Sequence, residues 1–260
     1  LNSNRCNFNL VTDTYGLVNL GSPESPNVIC GSSFGQGIGV DFDSTWFSKL
    51  KNRKDFFNIS FPVGTHNHLR RLTDLYRGNS NKLIYLYHPN SFICSYMFYQ
   101  SELKNMDIFK YMNWHTDNFY KYKSTMFYPF KIFMKVISGR IFYLDGYKID
   151  TNYCLFNLKD KNFLKIESTN LISLFSKFNH VYAFRVPIKE ELCDIKPFKS
   201  LKKSIRENYS IFLDLTKNLS NLSHFDLSNN FTLTDYHKYD NHWNKLGNKK
   251  FYEYLKSIRL

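Results

Sequence analysis

NVICGSSFGQG, residues 27–37, is a short apolar run that breaks abruptly into glycine and serine. Asn27–Cys30 reads as a buried strand, because a brief continuous apolar run bounded by turn residues suits a strand covered on both faces. The glycine-rich segment after it reads as a strand-to-helix turn. The hydroxyls of Ser32 and Ser33 then fall where the chain leaves a sheet and where working groups are commonly presented.

Outward from this turn, strand-like and helix-like segments take turns along the chain. DSTWFSKLK (43–51) predicts a helix opened by an Asp or Ser cap, DFFNISFPVG (55–64) a second strand, HLRRLTDLYR (68–77) a helix, and KLIYLYHPNS (82–91) a third strand ended by Pro89. After a long middle segment, LISLFSKF (171–178) and HVYAFRVP (180–187) predict helix then strand. SLKKSIRENYSIFLDLT (200–216) predicts a helix, HFDLS (224–228) a short strand, and NKLGNKKFYEYLKSI (244–258) a closing helix with Phe251, Leu255 and Ile258 on one face. Such alternation calls for a parallel sheet covered on both sides.

In a sheet of that kind ligands and reacting groups gather at the carboxyl ends of the strands. Those ends supply Ser33 in GSSFG, Gly64 in PVG, Asn90 in HPNS, and Asp240 with His242 in YDNHWNKLGN. A hydroxyl, a glycine N–H, a side-chain amide and an acid–imidazole pair are the parts of a serine nucleophile, an oxyanion hole and a base with its orienting carboxylate. Ser33 would expose its Oγ at the turn, with its own N–H near a helix start. In a locally extended loop, residues two apart face the same way, which would set Asp240 beside His242. Taken singly, each position has a plainer use: Ser33 as a helix cap, Asn90 as a turn residue, Gly64 as a backbone requirement, His242 as a packed or capping histidine.

The four stretches together resemble the blocks of the SGNH (GDSL-type) hydrolase superfamily, in the same order. ICGSSFGQGIG resembles the first block, NISFPVG the second, YLYHPNS the third, and YDNHWNKLGN the Asp/His block before the last helix; VTDTYGLVN and VYAFRVPIKEE resemble flanking stretches. Ser32 stands where the family usually has aspartate, and Ser91 follows Asn90 where aspartate is common. The resemblance implies a three-layer α/β/α sandwich around a mostly parallel sheet of about five strands, formed by residues 1–260 as one domain. Residues 98–175 match no block and read as an insertion or lid. It also implies serine-based acyl transfer without a cofactor or metal: Ser33 the nucleophile, His242 the base, Asp240 its orienter, and Ser33, Gly64 and Asn90 the oxyanion hole. The expected substrate is a small acyl ester, O-acetyl on a carbohydrate above all, since DNHWN resembles glycan-acetylating and deacetylating members. An O-acetyltransferase using the same triad and a non-catalytic glycan-binding module are the alternatives.

Composition is compatible with this reading. At 260 residues and 43% hydrophobic the chain can bury a large core, and it suits one large α/β domain better than two small ones. The net charge of +13 permits an anionic glycan as partner, but the lysines and arginines are scattered, and no recognition motif points to specific nucleic-acid binding. Five cysteines, Cys6, Cys30, Cys94, Cys154 and Cys193, have neither disulfide-framework nor zinc-knuckle spacing. The most apolar stretch, 124–147, is interrupted by Pro129, Lys131, Lys135 and Arg140 and is not a membrane span. It reads as a core helix with snorkelling lysines, or as an amphipathic piece on a lipid surface or an acyl pocket. Tyr111, Trp114 and Tyr120 read as core or lid residues, or as sugar-stacking faces. No signal peptide opens the sequence, and the compartment stays open between bacterial cytoplasm and periplasm.

Two rivals fit less well. Gly31–Gly35 satisfies the G-x-S-x-G elbow of α/β-hydrolases, but too few residues precede Ser33 for that sheet, and Asp240 and His242 share one loop. His66, His68, His88, Asp235, His237, Asp240 and His242 are conceivable metal ligands, yet no HExxH or comparable spacing organises them.

Overall fold

The computed structural model describes residues 18, 21–60, 66, 69, 70, 73–78, 81–89, 92, 95, 96, 99, 100, 103, 141–144, 147–150, 160–193 and 199–260. Gly64, Asn90, Cys6, Cys94, Cys154, His68, Tyr111, Trp114, Tyr120 and residues 124–140 lie outside them.

NVICG forms β1 (Asn27–Gly31), and the later apolar runs form β2 (Phe56–Asn58), β3 (Lys82–Tyr87), β6 (His180–Arg185) and β7 (Leu222–Asp226) of the same sheet. Between them, β4 (Ile141–Leu144) and β5 (Tyr147–Asp150) make a separate antiparallel pair. The central sheet has the order β2-β1-β3-β6-β7 and every neighbouring pair is parallel. Val28 sits opposite Phe57 and Leu83, and Ile84 opposite Tyr182. From β1 the chain goes first to one side and then to the other, so the order reverses between β1 and β3. That reversal opens a crevice at the carboxyl ends of those two strands.

Successive strand residues face opposite ways, and both faces are covered, giving three layers. On one face Val28, Cys30, Leu83, Tyr85, Tyr87 and Val181 pack with Phe163, Leu171, Leu174 and Phe175 of α2 (Lys161–Phe175) and Phe212 of α3 (Lys199–Thr216). On the other, Ile29, Ile84, Leu86 and Phe184 meet Phe34 of α1 (Ser33–Gln36), Trp46, Phe47, and Phe251 and Leu255 of α4 (Lys245–Ser257). Ile258 packs at the edge of this second cluster. Each fully buried Phe or Leu contributes roughly 1.5–3 kcal/mol of transfer free energy, which is what ties the layers together.

One expectation is corrected. DSTWFSKLK is not one α-helix but a pair of 3₁₀ turns, Phe42–Ser44 and Phe47–Lys49. Thr45 Oγ1 and Ser48 Oγ donate to the carbonyls of Phe42 and Thr45, and the Trp46 N–H bonds to Asn248 Oδ1 of α4 instead of a helical carbonyl. Such side-chain bonds compete with the helical ladder. At the end of the 98–175 segment α2 covers the sheet, opened by Asp160, whose carboxylate accepts from the N–H groups of Asn162 and Phe163 at 3.0 and 3.1 Å. No helix among the described residues is long and apolar enough to cross a membrane.

Candidate active site

Ser33 is the first residue of α1, directly after β1 and on the β1 side of the crevice. Its neighbour Ser32 holds the cap position without a side-chain capping bond, and the Ser32 carbonyl accepts from Gly35 and Gln36 N–H. Phe34 drives the turn into the core, where its ring lies 4.9 Å from that of Trp243. Ser33 itself is half-buried and stays at the surface of the crevice.

The Asp/His segment reaches the same place from the far end of the chain. His242 Nε2 is 2.8 Å from Ser33 Oγ, and His242 Nδ1 is hydrogen-bonded to Asp240 Oδ1. The segment is not the extended loop expected: residues 238–242 bend, and Asp240 Oδ1 also accepts the His242 backbone N–H at 2.8 Å. Asp240 therefore sets both the backbone and the ring of His242. Burial alone would raise the Asp240 carboxyl, but hydrogen bonds from the ring and N–H of His242, with its charge, hold it down at about 2.

The loop is closed at its base. Tyr236 and Trp243 form an antiparallel bridge, and the His237 N–H donates to the His242 carbonyl at 3.1 Å. Trp243 is buried and stacks on Phe231, with centroids 4.8 Å apart. Asn244 then opens α4 by accepting from Leu246 and Gly247 N–H, while its own amide donates to the carbonyls of Thr234 and Tyr236. Gly247 is required by close approach: a Cβ there would lie 2.4 Å from the Asp235 carbonyl oxygen. Trp243, Asn244 and Gly247 thus seat the turn that carries His242.

Further groups surround the site. His88, after β3 on the other side of the crevice, is buried and stacks on Phe34 at 5.2 Å. Burial, then the charge of His242, pushes its imidazole down to about 3, so it is neutral. Gly39 has φ +102°, and a Cβ there would lie 3.2 Å from both His237 Nε2 and His242 Cβ. Lys189, fully buried, donates to the carbonyls of His237, Lys238 and Asp240.

Among the described residues no group of three or more His, Cys, Asp or Glu side chains is arranged to hold an ion. His66 lies in the core between Glu167 and Tyr85, and Asp235 pairs with Lys250. Cys30 and Cys193 are buried thiols.

No family model and no curated protein matches the sequence. The chain is similar to a solved structure from Streptococcus pneumonia, provisionally described as a platelet activating factor, with 11% identity and a TM-score of 0.47 over 90% of this chain and 84% of that one. So distant a likeness assigns neither family nor activity.

Proposed function

We propose that this chain is a serine-dependent acyl-transfer enzyme of the SGNH type that hydrolyses small acyl esters, O-acetyl groups on a carbohydrate above all. The observation that carries the proposal is His242 Nε2 at 2.8 Å from Ser33 Oγ with Asp240 on the opposite ring nitrogen. Independent structural pressure for an acid, an imidazole and a hydroxyl to line up in this order is weak, because Ser33 and His242 are half-buried groups at a crevice.

In this reading His242 Nε2 takes the Ser33 proton as Oγ adds to the ester carbonyl. Asp240, held ionised, keeps the remaining ring proton on Nδ1 and stabilises the imidazolium that forms. The Ser33 N–H, at the start of α1, faces the developing oxyanion; Gly64 and Asn90 join it on the strength of the family resemblance. Collapse of the tetrahedral intermediate expels the sugar alkoxide, which takes the proton from His242. Water, activated by the same imidazole, then releases acetate. The neutral His88 ring keeps a second positive charge away from the imidazolium.

The test is to incubate wild type and Ser33→Ala with 4-nitrophenyl acetate, with and without glycan acceptors, and to follow acetate and acetylated sugar. Ser33-dependent release of acetate is expected. Equal turnover by both proteins, or none by either, would refute the enzyme. Acetylated sugar formed only with an acceptor would make the chain a transferase acting through the same triad, the outcome that water exclusion from the crevice would produce.

A further inference from the structure

The loop that bears Asp240 and His242 is built around a buried cation. Lys189 Nζ lies 2.6 Å from the carbonyl oxygen of His237, 3.0 Å from that of Lys238 and 3.1 Å from that of Asp240. An ammonium has three N–H donors, and here each has a carbonyl of this one loop. Lys189 is 0% exposed, so the price of desolvating its charge is met by these dipoles and not by water. Next to it, the buried Glu190 accepts from the side-chain amide of Asn241. Two consecutive residues therefore grip four of the loop's residues from inside, while the His237 to His242 backbone bond closes it from outside.

The grip is anchored in the sheet. Lys189 and Glu190 belong to a 3₁₀ turn, Lys189–Leu192, just after β6. Arg185, the last residue of β6, is buried and pairs with Glu191 and with Asp226 at the end of β7. Glu191 also accepts the Ile188 N–H at 3.0 Å, which fixes the start of the turn. A continuous set of bonds runs from the ends of β6 and β7 through Glu191 and Lys189 to the carbonyl of Asp240.

We propose that Lys189 is a positioning residue for the acyl-transfer reaction: by holding the carbonyls of residues 237, 238 and 240 it sets the loop conformation in which Asp240 meets His242 Nδ1. This rests on the esterase reading for its catalytic consequence but not for its structural one. A compact ammonium suits the role because three carbonyls converge on one nitrogen. The planar fork of arginine spreads its donors and cannot point three of them at one spot.

The test compares wild type, Lys189→Met and Lys189→Arg. Circular dichroism checks folding, kcat and KM are measured with 4-nitrophenyl acetate, and the ring ¹⁵N shifts of His242 report which nitrogen carries the proton. In folded Lys189→Met we expect kcat to fall by roughly 10²-fold, the scale of a displacement of about 1 Å in a catalytic group, with KM unchanged. We also expect the His242 shifts to move from the Nδ1–H tautomer toward a mixture. A purely structural lysine would lower thermal stability and leave both readouts alone, which would overturn the proposal. If Lys189→Met does not fold, Lys189→Arg decides: the same changes in smaller measure support the role, and wild-type kcat and shifts refute it. If wild type turns over no ester, the esterase reading fails, yet the shifts still decide the loop: movement between wild type and variant supports the positioning role, and identical shifts refute it.

Discussion

His242 Nε2 stands 2.8 Å from Ser33 Oγ although 209 residues separate the two in the chain. The serine is placed by the first strand of the sheet, and the histidine by the loop that enters the last helix. What brings them together is the core cluster shared by Phe34, Trp243 and Phe251, not any local feature of either segment.

Asp240→Asn is expected to lower kcat for 4-nitrophenyl acetate by roughly 10³- to 10⁴-fold with KM little changed, because an amide leaves the wrong ring nitrogen protonated. Steady-state kinetics on the folded variant checks this. A loss below about tenfold would remove Asp240 from the triad.

The Asp240 carboxyl also predicts a pH dependence of stability. Its pKa is lowered to about 2 in the fold, against about 3.9 in an unfolded chain. The stability it contributes is therefore fully present above about pH 4 and is lost as pH falls toward about 2. Urea unfolding of wild type and Asp240→Asn should show a difference that fades across that window. Because the side chain is 48% exposed, 1 M salt should shrink it.

His88 has the opposite sign of shift for its type. Its imidazole is pushed down to about 3, while an unfolded histidine titrates near 6.5. The unfolded chain takes up the proton first, so stability falls as pH drops from about 6.5 toward about 3, with a limiting slope of about 1.4 kcal/mol per pH unit. His88→Gln should flatten that slope in urea titrations run at successive pH values. An unchanged slope would show that burial of His88 does not govern the acid sensitivity.

Gly39→Ala is expected to damage the site from behind. The φ of +102° costs a side-chain-bearing residue on the order of 1–3 kcal/mol, and the new Cβ would press on His242 Cβ at 3.2 Å. Thermal unfolding should register the strain, and kcat should fall as the imidazole is displaced from Ser33. Wild-type values of both would mean that the turn relaxes without moving His242.

A separate buried pair governs stability and not chemistry. His66 and Glu167, with side chains 0% and 2% exposed, join the helical turn at residue 66 to α2, and His66 Nε2 lies 2.6 Å from Tyr85 Oη on β3. Glu167→Leu should cost on the order of 1–3 kcal/mol by leaving the buried His66 Nδ1 without its hydrogen-bond partner, and His66→Phe added to it should recover part of the loss. Urea unfolding of the single and double variants measures the coupling.

Much of this architecture was legible in the chain. Alternating apolar runs and amphipathic stretches state the parallel, doubly covered sheet, since only a strand buried on both faces tolerates an unbroken run such as Val28–Cys30. The 43–51 stretch misled because Trp46, Phe47 and Leu50 carry helical spacing, while Thr45, Ser48 and Asn248 take the hydrogen bonds a helix would need. Ser33, Asp240 and His242 could be named because glycine-rich turns and a short Asp-x-His spacing are local features. Lys189 could not: in IKEE it belongs to a charged run of the kind that usually lies in water, and nothing local shows that it is enclosed.

By itself, then, the sequence determined most of the strands of the central sheet and placed Ser33 at the end of the first, because hydrophobic periodicity and turn chemistry act over a few residues. Only the tertiary structure decided the meeting of Ser33 with His242, the Asp240 carboxylate gripping both the ring and the N–H of His242, and the burial of Lys189 under three carbonyls. Those depend on packing between segments far apart in the chain. There a burial or a hydrogen bond is settled by what the rest of the fold brings alongside.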